Sequence, residues 1–141
     1  MEDKLKVTLV QSILHWEDKR KNLEMFTVKL ESVEPRSIVL LPEMFSTGFS
    51  MEPAALAETM EGEAVEWMKK ITARKKIVLC GSLIIEEKGH YYNRFVCMLP
   101  NGEAAIYDKR HLFAYAGENE KYTAGKRRQI LSISGWKINC I

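Results

Sequence analysis

Residues 37–45 constrain the fold more than any other stretch. Ser37-Ile38-Val39-Leu40-Leu41-Pro42-Glu43-Met44-Phe45 is a short apolar run that stops at a proline and a glutamate. The run has strand length and is too continuous for a strand with one wet face, so it calls for a sheet covered on both sides. Pro42 has no N–H to give a ladder, which ends the strand there. Glu43 is then left at the carboxyl end of a buried strand, the edge at which open α/β sheets bind their ligands. Alone, a glutamate in that position reads as a cap or turn residue.

A second stretch has the same form. In Ile106-Tyr107-Asp108-Lys109-Arg110-His111-Leu112-Phe113, four polar residues sit between apolar ones. Ile106 and Tyr107 close a strand, and Leu112 and Phe113 must pack. Asp108 to His111 therefore fall at a strand end between buried neighbours. A lysine held that way can be a fixed cation aimed at a site rather than a solvated tether. By themselves these eight residues read as a charge cluster facing water. A glutamate at a second strand end gives the functional reading its weight.

The other elements follow from local pattern. Leu5 to Val10 alternates as a first strand. Asp18 can cap a helix in which Leu23, Met25, Phe26 and Leu30 fall near helical spacing. Ser46-Thr47-Gly48-Phe49-Ser50 and Pro53 mark a loop beyond the second strand; its rings, Phe45 and Phe49, either line a pocket or pack the loop down. A helix over 62–75 carries the apolar stripe Ala64, Val65, Trp67, Met68 and Ile71, read as core. Lys76 to Ile85 is the strongest strand, Glu86 to Gly89 turns it, and Tyr91 to Leu99 runs back. Within that return strand, Asn93 and Arg94 read as satisfying local backbone. Pro100-Asn101-Gly102 is a hairpin signal before Ala104 to Tyr107. Residues 114–128 read as a long polar loop, of the kind that is often functional. Ile130 to Ile133 and Trp136 to Ile141 are two more strands around Ser134-Gly135. The order β-α-β-α-β-β-β-β-β predicts an α/β fold, a mixed sheet with helices on one outer face.

Composition narrows the class. At 141 residues the chain suits one domain, and 46% hydrophobic against 28% charged residues makes it globular rather than disordered. A net charge of +2 is too balanced to imply nucleic acid or a membrane surface, and Lys126-Arg127-Arg128, without interleaved aromatics, reads as solvated surface. Met1-Glu2-Asp3-Lys4 leads straight into a strand-like run, with no apolar leader and no span long enough for a bilayer. Cys80, Cys97 and Cys140 form no Cys-x-x-Cys and read as free thiols in a reducing, cytoplasmic setting. His15, His90 and His111 lack metal-ligand spacing, so neither a metal nor another cofactor is expected.

With these pieces placed, the chain resembles the amino-terminal half of a nitrilase-superfamily carbon–nitrogen hydrolase, nearest to its ω-amidase-like branch. The resemblance rests on Leu41-Pro42-Glu43-Met44-Phe45-Ser46-Thr47-Gly48-Phe49 and on Tyr107-Asp108-Lys109-Arg110-His111-Leu112-Phe113, in this order and each after a strand. It implies a nitrilase-like α-β-β-α sandwich, here truncated, with residues 1–141 the amino-terminal part of a single domain that pairs into homodimers. It implies that Glu43 is the general base, that Lys109 stabilises an oxyanion, and that Glu118 is a second glutamate supporting the site. The implied substrate is a small linear amide, an amide of a 2-oxo acid.

The family's nucleophile is a cysteine in a Cys-Tyr-Asp-x-Arg-Phe-Pro motif, shortly after a Gly-Trp-like strand start. Gly135-Trp136 matches that start, and the expected cysteine falls just beyond Ile141. Cys140 lies a few positions early, inside an apolar strand, without a following Tyr-Asp, and reads as a packed core thiol. The resulting expectation is a chain with two of the three catalytic residue types, inactive alone. The alternatives are a non-catalytic fragment that acts by association and, ranked below it, a shifted register in which Cys140 is the nucleophile.

Overall fold

The computed structural model describes residues 4–141. Met1 to Asp3, part of the terminus expected to carry no apolar leader, lie outside the described residues. The elements in chain order are β1 (Val7–Leu9), α1 (Lys19–Leu30), β2 (Ile38–Leu40), α2 (Pro53–Leu56), α3 (Glu63–Lys75), β3 (Val78–Glu87), β4 (His90–Met98), β5 (Ala104–Asp108), a 3-10 turn (Ala114–Ala116), α4 (Glu118–Lys121), β6 (Gln129–Ile133) and β7 (Trp136–Cys140). Strands β1 to β5 form one sheet in sequence order. β1, β2 and β3 run parallel, whereas β3–β4 and β4–β5 are antiparallel. This is the mixed sheet expected from the order of elements.

Helix α1 starts where Asp18 accepts a hydrogen bond from the Lys21 N–H at 3.1 Å. Its inward face is Asn22, Leu23, Phe26 and Leu30, one stripe at helical spacing. Burying Leu23, Phe26 and Leu30 stabilises the packed state by roughly 1.5–3 kcal/mol each. Helix α3 has no side-chain cap of its own at Gly62. Glu58 supplies one: its Oε2 accepts from the N–H groups of Ala64 and Val65 at 2.9 and 3.4 Å, and its Oε1 lies 2.9 Å from Lys19 Nζ. Glu63 and Glu66 in the first turn, and Arg74 and Lys75 in the last, match the helix dipole. Lys76 then ends the helix in the left-handed region at φ 56°.

The two helices cover one face of the sheet. Phe26, Leu30, Met68 and Ile71 pack there against Val39, Leu79, Leu83, Ile85 and Met98. The opposite face is covered by the β6–β7 hairpin, whose Leu131 and Ile133 meet Ile38, Cys80 and Cys97. The layers are therefore helix, sheet and hairpin, the α-β-β part of the expected sandwich. Both faces of β2 are covered, as its unbroken apolar run requires.

Three local readings change. The last two strands do not extend the main sheet but form their own two-stranded one. The connection after β5 carries the chain over the sheet end and onto the other face. That connection is also not a plain loop, since it holds the 3-10 turn and α4. Finally, Pro53 opens helix α2 rather than only marking a loop, because its fixed φ suits a first helical position. Among the described residues, no helix is long and apolar enough to cross a membrane.

Candidate active site

Glu43 is placed by the turn that follows β2. Leu41 N–H donates to the Cys80 carbonyl at 2.8 Å, and Met44 N–H donates to Ser82 Oγ at 2.8 Å. The turn is thus tied to β3 on both sides of Glu43. Met44, at φ 47°, and Phe45 are fully buried, and they bury the turn's apolar side while Glu43 stays half exposed. Phe45 meets Phe26 edge-on at 5.9 Å and Trp67 at 5.8 Å. Gly81 makes room for it, because a Cβ there would stand 2.6 Å from the Phe45 ring. Phe45 therefore packs the loop down. Asn22 holds the same loop from α1, donating to the Ser46 carbonyl at 2.9 Å.

Lys109 follows β5. Its N–H donates to the Asn93 carbonyl at 3.0 Å, and its carbonyl accepts from Gly125 N–H at 2.9 Å. Gly125 crosses so close over Asp108 that any Cβ would strike the Asp108 carbonyl. The Lys109 ammonium lies 2.9 Å from Glu43 Oε1 and 2.9 Å from Glu118 Oε2. It also stands 5.3 Å over the Phe49 ring.

Glu118 opens α4 and has no exposed surface. Its Oε2 also accepts from Phe113 N–H at 2.6 Å, closing the 113–118 loop on itself. Tyr122 packs behind with Met44 and Ile84, and its hydroxyl donates to the Ser50 carbonyl at 2.6 Å. Burial first, then the charge of Glu118, pushes the Tyr122 phenol up, so it remains a neutral donor. The structure therefore brings together Glu43, Lys109 and Glu118, which the sequence spreads over 76 positions (118 minus 43, counting both ends).

Asn93 and Arg94 correct the sequence reading. Neither serves only local backbone. Asn93 Nδ2 lies 2.7 Å from Glu43 Oε1 and 3.0 Å from Glu118 Oε1, inside the cluster. Arg94 is 2% exposed and grips Asp108 with Nε at 2.7 Å and Nη2 at 3.0 Å. It also reaches Glu87 at 3.3 Å and lies 5.4 Å over the Tyr92 ring. Burial alone would lower the guanidinium pKa, but the hydrogen bonds to Asp108 and Glu87 more than reverse that, and Arg94 is held up. The signal available in the sequence was a polar pair in the middle of an apolar strand.

Glu43, Asn93 and Lys109, with Ser82, Phe95 and Tyr107, line a cavity of about 520 Å³. Its far wall is the end of β7, from Ile138 to Ile141. For Lys109, burial would lower the ammonium pKa, but hydrogen bonds to Glu43 and Glu118 outweigh it and the net direction is up. The cavity thus presents a lasting cation beside a half-exposed carboxylate. Cys140 is on the wall, yet it packs with the sheet-to-hairpin cluster. Burial and the neighbouring Cys97 push its thiol up, away from thiolate. Arg110, His111 and Tyr115 do not line this cavity. Among the described residues, no group of three His, Cys, Asp or Glu could hold a metal ion.

A part-buried lysine between a buried and an accessible glutamate, at one end of the sheet in an α-β-β arrangement, points to a class of protein, and sequence comparison gives the family. The chain belongs to the carbon-nitrogen hydrolase family, whose model matches residues 6–139. Among curated proteins it is 42% identical over 136 residues to omega-amidase YafV of Yersinia enterocolitica and 39% identical over 134 residues to omega-amidase YafV of Escherichia coli strain K12. Each alignment covers 95% of this chain and 52% of the relative, so the chain spans about half the length of the curated relatives it matches. Among solved structures it resembles XC1258 of Xanthomonas campestris, a CN-hydrolase superfamily protein with an arsenic adduct in its active site. That match has a TM-score of 0.92 at 36% identity and covers 96% of this chain and 51% of the other.

Proposed function

We propose that residues 1–141 are the amino-terminal part of one carbon–nitrogen hydrolase domain and contribute Glu43, Lys109 and Glu118 to an amidase site. The proposed substrate is a small linear amide, an amide of a 2-oxo acid. The single observation that carries this reading is the Lys109 ammonium, 2.9 Å from both an accessible and a buried glutamate, at the wall of a cavity. The similarity to omega-amidases supports the choice of substrate.

The chemistry needs these groups. An amide is a poor electrophile, so a thiolate must attack it. Glu43 takes the thiol proton. The sulfur then bonds to the amide carbon, and the carbonyl oxygen becomes an oxyanion beside Lys109 Nζ. When the tetrahedral species collapses, the C–N bond breaks and the proton on Glu43 leaves with ammonia. Glu43 next deprotonates water, which opens the thioester and returns the thiol. Glu118 is the buried counter-ion of Lys109.

The nucleophile in this reading is the cysteine of the family motif that follows a Gly-Trp strand start. β7 begins at Trp136 and ends at Cys140 on the cavity wall, so chain continuing its direction would enter beside Glu43 and Lys109. Cytoplasmic location and homodimer formation belong to the same proposal. Free Cys80, Cys97 and Cys140 support the first, and exposed Leu9, Ile13 and Trp16 support the second.

The test is the intact mass of the natural gene product, measured beside ammonia release from 2-oxoglutaramate. Release by a product longer than this chain is expected. No release from 2-oxoglutaramate or other small amides would leave association without catalysis, which the exposed apolar residues favour. Release by the 141-residue chain alone, abolished by Cys140→Ala, would make Cys140 the nucleophile.

A further inference from the structure

Both oxygens of Glu118 are occupied. Oε1 faces Asn93 Nδ2 at 3.0 Å, and Oε2 takes Lys109 Nζ and Phe113 N–H. Glu43 is different. Its Oε1 accepts from both Asn93 Nδ2 at 2.7 Å and Lys109 Nζ at 2.9 Å, while its Oε2 makes no hydrogen bond among the described residues. One carboxylate is bonded at both oxygens and sealed, whereas the other has one bonded and one open oxygen.

Asn93 is 2% exposed and stands between them. An ionised carboxylate only accepts hydrogen bonds, so the nitrogen side of the amide must face both glutamates. The NH2 group has two protons, and each carboxylate takes one. Asn93 is itself held by the sheet: its carbonyl accepts from Lys109 N–H, and its Cα pairs with Ile84 on β3. Its side chain therefore has little freedom to serve one glutamate and abandon the other.

We propose that Asn93 is a positioning residue that gives the two glutamates different roles. Its first amide proton ties Glu43 Oε1 down and leaves Oε2 as the oxygen that accepts a proton. Its second completes the shell of Glu118 and keeps that carboxylate a fixed counter-ion. The catalytic half of this inference rests on the amidase reading; the geometric half does not.

The test uses the natural gene product labelled with 15N-asparagine, with Asn93→Ala to assign the signals. The expected result is a split response: Glu43→Gln shifts one Asn93 amide proton and Glu118→Gln shifts the other. Both protons following one glutamate, or neither moving in the conservative Glu43→Gln, would overturn the proposal. Kinetics give the second readout. Asn93→Ala should lower kcat by about 10- to 100-fold, as expected for losing hydrogen bonds to charged groups, with KM within about threefold. A raised KM at unchanged kcat would assign Asn93 to substrate binding and overturn the positioning role. Absence of turnover in the wild-type protein counts against the amidase reading alone, and the split response then decides the geometry of Asn93.

Discussion

Lys109 Nζ lies 2.9 Å from Oε2 of Glu118, a carboxylate with no exposed surface. Removing the cation leaves a buried charge short of a partner. Lys109→Met should destabilise the protein by about 3 kcal/mol, read by urea denaturation. The pH dependence follows from the direction of the Lys109 shift, which is upward. Its stabilising contribution is complete below the ordinary lysine value of 10.5 and is lost as pH rises through the higher folded value. The stability gap between wild type and Lys109→Met should hold steady through neutral pH and close only in strongly alkaline solution. A gap that closed between neutral pH and 10.5 would contradict this account.

Arg94 holds Asp108 with two nitrogens, and Asp108 directly precedes Lys109. A lysine cannot reproduce that planar fork. Arg94→Lys should cost about 2 kcal/mol in thermal or urea unfolding, because hydrogen bonds to charged groups are lost inside the protein. Equal stability of the two forms would show that the fork adds nothing beyond charge.

Gly125 passes against the Asp108 carbonyl and donates its N–H to the Lys109 carbonyl. Adding a methyl group at Gly125 must lift the 122–125 segment off the strand end. Gly125→Ala should destabilise by about 1–3 kcal/mol, the range for overpacking a tight site. Amide hydrogen exchange should rise first at Gly125 and Thr123, whose N–H groups bond across this segment.

Glu43 is half exposed, and its loss strips no buried charge of its counter-ion, since Lys109 keeps Glu118. Glu43→Gln should leave stability within about 0.5 kcal/mol, as for most surface changes. In the natural gene product it should lower ammonia release by about 100- to 10,000-fold, the usual weight of a positioned general base. Turnover near wild type would remove Glu43 from the chemistry.

Local elements were legible before the fold was known. Pro42 stops β2, Asp18 caps α1, and the stripe from Ala64 to Ile71 packs inward, because each depends on residues within a turn or two. The Glu43 and Lys109 stretches were legible as strand ends for the same reason. Asn93 and Arg94 were not, because a polar residue in a strand shows its purpose only when its partner is known, and their partners lie up to 50 positions away. The helices in 114–121 were missed because each is a single short turn, held by Glu118 reaching back to Phe113 rather than by any periodic pattern.

By itself, the sequence determined the strand and helix order, the apolar faces and the two strand ends that carry a glutamate and a lysine. These follow from backbone limits and hydrophobic spacing, which act over short range. Only the tertiary structure decided that Glu43 and Lys109, 66 positions apart, share an ion pair. It also decided that Glu118 is sealed while Glu43 is open, and that the β6–β7 hairpin covers the second face of the sheet. Those outcomes depend on strand register and layer stacking, where a shift of one residue would turn Asn93 to the opposite face and leave the two carboxylates without their common donor.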